Sequence, residues 1–223
     1  RPFRWIEPVL EQLTVRPVCV TSNGAVLYDS AEDRVMSAHE LSPAALAEVV
    51  DVAQTVLGTV GFGAERAGGS LGDAVEDLFV VERHYSENAL FEGFGVVSMG
   101  ELVGQPAVKF LIRNTDYSAP KLYELIAPHI DPKLAHLTYS MQEGILEVAA
   151  PNVTKRRGVE WLAEHTGVAQ QETIAFGDMP NDIEMLRWAG CGVAMENAHP
   201  EVKAAADAVT VANHQAGVAK VLE

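Results

Sequence analysis

Phe176-Gly177-Asp178-Met179-Pro180-Asn181-Asp182 runs an apolar strand into a glycine, then crowds two carboxylates and an amide into one turn before a helix. Open α/β sheets bind ligands at the carboxyl ends of their strands, so a polar turn here is placed for a site. Asp178 and Asp182 stand four residues apart. Two anions so spaced repel unless a cation lies between them or hydrogen bonds spread their charge. Magnesium suits such a turn, because it takes oxygen ligands in octahedral geometry and keeps several waters beside one or two carboxylates. The same residues also suit a plain helix start, with Asp182 and Glu184 facing the positive end of the helix dipole and Asp178 capping the turn.

Outward from this turn, strand and helix patterns alternate. Residues 145–149, 173–176, 192–195 and 208–211 read as strands, and residues 155–165, 183–189 and 200–206 as helices, with Gly167 and Gly190 as stops. That alternation predicts a mostly parallel sheet with helices on both faces. At the other end, Phe3, Ile6, Val9, Leu10 and Leu13 have helical spacing. They are followed by a strand at 17–20, a turn, and strands at 25–28 and 35–39. Ser42-Pro43 opens a helix that Gly58 ends. From about residue 60 to 139, short strands (79–81, 108–112), glycine-rich loops and a helix at 120–129 form a pattern of their own. The expected organisation is one α/β domain made of residues 1–38 and 145–223, with residues 39–144 inserted as an α+β cap.

Two more places carry candidate chemistry. Lys155 opens a helix after Pro151-Asn152-Val153-Thr154, where its charge meets the positive end of the dipole at a cost of a few tenths of a kcal/mol. A phosphoryl-binding role explains a lysine there, and a solvated surface lysine is the plainer reading. Thr21-Ser22-Asn23-Gly24-Ala25 ends a strand with small residues, an amide and backbone N–H groups that can hold an anion; an ordinary turn has the same composition.

Composition narrows the classes. A chain of 223 residues with 16 Lys and Arg against 31 Asp and Glu has a net charge of -15, which argues against nucleic acid and anionic membrane as partners. No apolar run approaches the roughly 20 residues that span a bilayer. Only Cys19 and Cys191 are present, each in an apolar stretch, and both read as reduced thiols. A cytoplasmic location is the expectation. Trp5, Trp161 and Trp188 sit among helical apolar neighbours and are expected in packing. Arg66, Arg83, His84, Lys109 and Arg113 of the middle region are expected to face solvent, with contacts to a substrate's non-phosphate part as the alternative.

The Asn23-Gly24-Ala25 turn, the helix-opening Lys155, Gly177-Asp178-Met179-Pro180-Asn181-Asp182 and Gly192-Val193-Ala194-Met195-Glu196-Asn197-Ala198 together resemble a haloacid dehalogenase (HAD) hydrolase of the Cof-type subfamily. So does the ending from Ala206-Asp207-Ala208 to His214-Gln215-Ala216-Gly217. The resemblance covers about residues 1–35 and 145–223, and the middle matches in position and size as the family's cap. It implies a Rossmann-like core and a Mg2+-dependent phosphatase for a sugar phosphate or other small phosphorylated metabolite, working through an aspartyl-phosphate. It further implies that Asp178 and Asp182 serve the metal, Lys155 bridges nucleophile and phosphate, Asn181 orients the loop, Ser22, Asn23 and Gly24 line the phosphate pocket, and Arg1 approaches substrate. The family's first motif, Asp-x-Asp-Gly-Thr, does not occur in this sequence. The resemblance therefore implies that the nucleophile and the central first strand lie upstream, that this chain alone is inactive, and that its sheet exposes unpaired edges. A phosphomutase and a non-catalytic HAD-like binding protein are the alternatives.

Overall fold

A computed structural model describes residues 1–90 and 92–223, which divide into two compact units, Arg1–Val153 and Thr154–Glu223. In the first unit, β1 (Val18–Thr21), β2 (Val26–Asp29) and β3 (Arg34–Ala38) form an antiparallel meander. A six-stranded sheet follows in the order β6 (Gly95–Val96), β5 (Phe79–Val81), β4 (Gly61–Glu65), β7 (Lys109–Arg113), β9 (Ile145–Ala149), β8 (His136–Thr138).

The period-two alternation of these strands builds two different faces. Phe62 and Ala64 of β4, Phe110 and Ile112 of β7, and Leu146 and Val148 of β9 join one core with Leu46 and Val49 of the helix Pro43–Leu57 and Leu122 and Ile126 of the helix Ala119–Ile126. The opposite face carries a smaller cluster of Phe79, Val81, Tyr85, Leu111 and Ile145. On that face the register sets Glu65 opposite Lys109 and Leu111 opposite Glu147. The alternation therefore puts four charged side chains, Glu65, Lys109, Arg113 and Glu147, on the face opposite the main apolar core.

The second unit is smaller. Its sheet is parallel, in the order β10 (Ile174–Gly177), β11 (Cys191–Ala194), β12 (Ala208–Val209). The helix Lys155–Thr166 ends as the sequence predicts, with Gly167 left-handed at φ 71°. Ala175, Leu186, Ala194, Ala198 and Val202 pack between strands and helices. β10 stands at the sheet's edge. Beside it Val159, Leu162, Phe176, Met185 and Trp188 help line an apolar depression of about 450 Å³.

Several expectations change. The sequence pattern assigns the strand 145–149 to the α/β core. Instead β9 pairs antiparallel with both β7 and β8, so it belongs to the six-stranded sheet, and the chain divides at Val153/Thr154 rather than at 144/145. The amino-terminal helix is short, a 3-10 turn at Phe3–Trp5 and one turn at Glu7–Leu10. Trp5 is 40% exposed rather than packed, with the guanidinium groups of Arg1 and Arg4 near its ring at 5.5 and 6.0 Å. Arg113 is buried and donates to the carbonyls of Gly144 and Asn114, and Arg66 donates to the carbonyls of Gln105, Pro106 and Leu102, so neither serves as a plain solvated charge. Among the described residues no helix is long and apolar enough to cross a membrane.

Close packing holds β11 against the helix Ile183–Trp188. A Cβ on Gly192 would lie 2.3 Å from the carbonyl oxygen of Leu186 and 2.9 Å from its carbon, which are backbone atoms that cannot rotate away. Gly192→Ala is expected to destabilise the chain by about 1–3 kcal/mol through overpacking. The midpoint of thermal unfolding, measured by circular dichroism, checks this; an unchanged midpoint contradicts the close approach.

Candidate functional site

The acidic turn is organised by Asp182. β10 ends at Gly177, the chain turns through Asp178 and Met179, and a 3-10 turn at Pro180–Asp182 leads into the helix Ile183–Trp188. Asp182 is 4% exposed. Its Oδ2 accepts the backbone N–H groups of Asp178 and Met179, each at 3.0 Å, and its Oδ1 lies 2.5 Å from Nζ of Lys155. The carboxylate therefore folds the turn back on itself and meets a cation on its other side. Gly177 is required for this closeness, since a Cβ there would sit 2.4 Å from Cβ of Asp182.

Lys155 is the first residue of the helix Lys155–Thr166, capped by Thr154, whose Oγ1 accepts the N–H of Arg157 at 3.3 Å. The lysine that clashes with its own helix dipole is thus matched by a carboxylate from another element. The predicted meeting of Lys155 with the acidic turn is present.

Asp178 is oriented differently. Its side chain is partly exposed, and Oδ2 accepts from Nδ2 of Asn197 at 3.2 Å. In the sequence Asn197 stands out only within the Gly192–Ala198 stretch that carries the resemblance. Its place after β11, the strand parallel and next to β10, was the signal that could have brought it to Asp178. Among the described residues no group of three or more His, Cys, Asp or Glu side chains is arranged to hold a metal. The polar side chains of the turn, Asp178, Asn181 and Asp182, offer carboxylate and amide oxygens. That set fits a hard cation with a largely aqueous coordination sphere, which is how magnesium binds.

The other predicted residues, Arg1, Ser22, Asn23 and Gly24, belong to the Arg1–Val153 unit. Ser22, Asn23 and Gly24 take positive φ of 49°, 58° and 98° in succession. Left-handed geometry costs most non-glycine residues about 1–2 kcal/mol but is tolerated by asparagine, so Ser22 is the strained member. The turn is tied down. The Ser22 N–H donates to the Arg1 carbonyl at 2.9 Å, and Nδ2 of Asn23 donates to Oε2 of Glu147 at 2.5 Å. Glu147 also accepts from Nζ of Lys109 at 3.1 Å and from Oγ of Ser140 at 2.6 Å. Arg4 pairs with Glu65 across the same region. Sequence reading missed Glu147 altogether; its lone charge inside the apolar run 145–149 was the available signal. Lys109, expected in solvent, is instead in a pair whose side chains are 12% and 11% exposed.

An acidic turn at the carboxyl end of a parallel strand, closed on a helix-opening lysine, places the chain among phosphate-monoester hydrolases of α/β architecture. It belongs to the haloacid dehalogenase-like hydrolases, whose family model matches residues 1–222. A relative similar along the whole chain is 5-amino-6-(5-phospho-D-ribitylamino)uracil phosphatase YitU of Bacillus subtilis. It is 26% identical over 231 residues, covering 100% of this chain and 81% of the relative. The Escherichia coli phosphatase YbjI, with the same named substrate, is 41% identical over 80 residues, or 36% of this chain and 30% of that protein. Among solved structures, the HAD subclass IIB sugar phosphatase BT4131 superposes with a TM-score of 0.73 at 21% identity, covering 97% of this chain and 78% of that one. SMU.1108c of Streptococcus mutans superposes at 0.81 and 20%, covering 99% and 81%. These two likenesses show the fold.

Burial opposes the ionisation of Glu147, but the Lys109 ammonium and the hydrogen bonds from Ser140, Lys109 and Asn23 outweigh it and hold the carboxyl down at about 2. Its folded value lies below its ordinary value of 4.5, so its contribution to stability is complete above about pH 4.5 and is lost as the pH falls toward 2. The full contribution is on the order of 3 kcal/mol. Urea unfolding between pH 6 and pH 3 is expected to show a steeper loss of stability for the native chain than for Glu147→Gln. Parallel slopes would show that the network does not hold the carboxylate ionised.

Proposed function

We propose that this chain is the metal- and lysine-bearing part of a magnesium-dependent phosphatase for a small phosphorylated metabolite, a sugar or polyol phosphate. The observation that carries the reading is the joined set Lys155, Asp182 and Asp178 at the end of β10. Phosphoryl transfer asks a protein mainly for positioning and for neutralisation of charge. Asp178 offers the carboxylate on the exposed side of the turn and would hold Mg2+. The bound ion supplies Lewis-acid neutralisation of the phosphoryl oxygens.

Asp182, with both oxygens engaged, acts by fixing the Asp178 and Met179 amides and by holding the Lys155 ammonium in place. Lys155 is the compact positive charge for the phosphoryl group. Asn181 lies in the same turn and orients it. Within the Arg1–Val153 unit, the Ser22-Asn23-Gly24 turn offers small residues and an amide suited to phosphate oxygens. The substrate class is supported by the phospho-ribityl compound named for YitU and YbjI and by the sugar phosphatase BT4131.

The nucleophile is an aspartate outside these 223 residues, because no Asp-x-Asp occurs among them. Enzymes accelerate phosphate-monoester hydrolysis by up to about 10²¹-fold. A metal turn and a lysine without a nucleophile fall far short of that. The 223-residue chain, assayed with p-nitrophenyl phosphate and Mg2+, is therefore expected to show no turnover. The chain extended by the upstream reading frame is expected to hydrolyse small sugar or polyol phosphates, and to lose at least about 10²-fold in Lys155→Met and in Asp178→Ala. Robust turnover by the 223 residues that vanishes in Asp178→Ala would overturn the placement of the nucleophile. A folded extended chain inactive on a broad ester panel would overturn the catalytic reading.

A further inference from the structure

β11 delivers residues 195–199 alongside the end of β10, and three bonds tie the two together. The Met195 N–H donates to the Gly177 carbonyl at 3.0 Å, the His199 N–H donates to the Asp178 carbonyl at 3.1 Å, and Nδ2 of Asn197 donates to Oδ2 of Asp178 at 3.2 Å. The first two fix the backbone of the metal turn. Only the third touches the carboxylate. On its other side, Oδ1 of Asn197 accepts the N–H of Asn213 at 2.9 Å, at the start of the 3-10 turn Asn213–Gln215.

Those two partners dictate the chemistry of position 197. A carboxylate only accepts and a backbone N–H only donates, so the side chain between them must donate at one end and accept at the other. A primary amide does both without charge, and its neighbours decide which end is nitrogen. An aspartate at 197 would set like charge against Asp178, and a leucine would leave the Asn213 N–H without this partner.

We infer that Asn197 is the positioning residue for Asp178. It occupies Oδ2 from the β11 side, fixes the rotation of the carboxylate, and so presents Oδ1 as the single oxygen offered to a divalent cation. The inference rests on Asp178 being a ligand of that cation, as proposed above. Magnesium tolerates little departure from octahedral geometry, so a carboxylate free to rotate binds it less well. Groups that orient a metal ligand are worth about 10- to 100-fold in affinity, and the exposed setting of Asn197 puts it at the lower end.

The test uses the 223-residue chain and Mn2+ as the probe. Paramagnetic broadening of the amide resonances of residues 177–181 is followed by NMR and reversed with Mg2+. Asn197→Ala is expected to raise the Mn2+ concentration for half-broadening about tenfold. Asn213→Pro removes the N–H that anchors Asn197 while leaving Asn197 in place. Ala212 already has φ -61° and ψ 156°, which a following proline accepts. That variant is expected to raise the half-broadening concentration severalfold with its circular dichroism spectrum unchanged. Half-broadening within twofold of the native chain in both variants, with Asp178→Ala abolishing the effect, overturns the role of Asn197 alone. If Asp178→Ala also leaves broadening intact, the assignment of Asp178 to the metal falls, and the role of Asn197 falls with it.

Discussion

The bond between Lys155 and Asp182 is the constraint on which the acidic turn depends. Asp182 accepts two backbone N–H groups through one oxygen and an ammonium through the other. Without the lysine, a nearly buried carboxylate would sit beside Asp178 with no counter-charge on its Oδ1 side. Without the carboxylate, the lysine would sit at the positive end of its own helix with nothing opposite. Each group corrects the other's unfavourable placement. The result is a turn of fixed shape from two elements separated by 27 residues in sequence.

The Ser22-Asn23-Gly24 turn solves a similar problem by different means. Its backbone is held in a conformation that ordinary residues avoid, and the hold comes from Glu147, a charge on the polar face of the six-stranded sheet. Strain of this kind persists only where the surroundings over-determine it. Three donors converging on one carboxylate supply that over-determination within the Arg1–Val153 unit. The two turns thus share one design, in which an acceptor-only carboxylate gathers N–H and ammonium donors and freezes a loop.

Much of this was legible in the sequence because it depends on local chemistry. Ser42 and Gly58 bracket the helix Pro43–Leu57, Gly167 ends the next long helix, and the strand-to-turn step at Gly177–Asp178 is written in adjacent residues. The pairing of β9 was not legible. An apolar strand of five residues reads the same whether its neighbours run parallel or antiparallel, and only the register with β7 and β8 decides its sheet. Side-chain partners were legible in part. The meeting of Lys155 with the acidic turn followed from motif order. The pairs Lys109–Glu147 and Arg4–Glu65 join residues 38 and 61 apart, and no local pattern announces them.

Among the described residues β10 has one ladder neighbour, β11, and an apolar depression lies beside it. Such an edge is a template for another strand. Any strand that adds there would bond to the same four residues whose last member, Gly177, sets the position of Asp178. Addition of a strand there and stiffening of the acidic turn would then be one thermodynamic event. Whatever binds the acidic turn in its stiffened shape would in turn favour the covered edge.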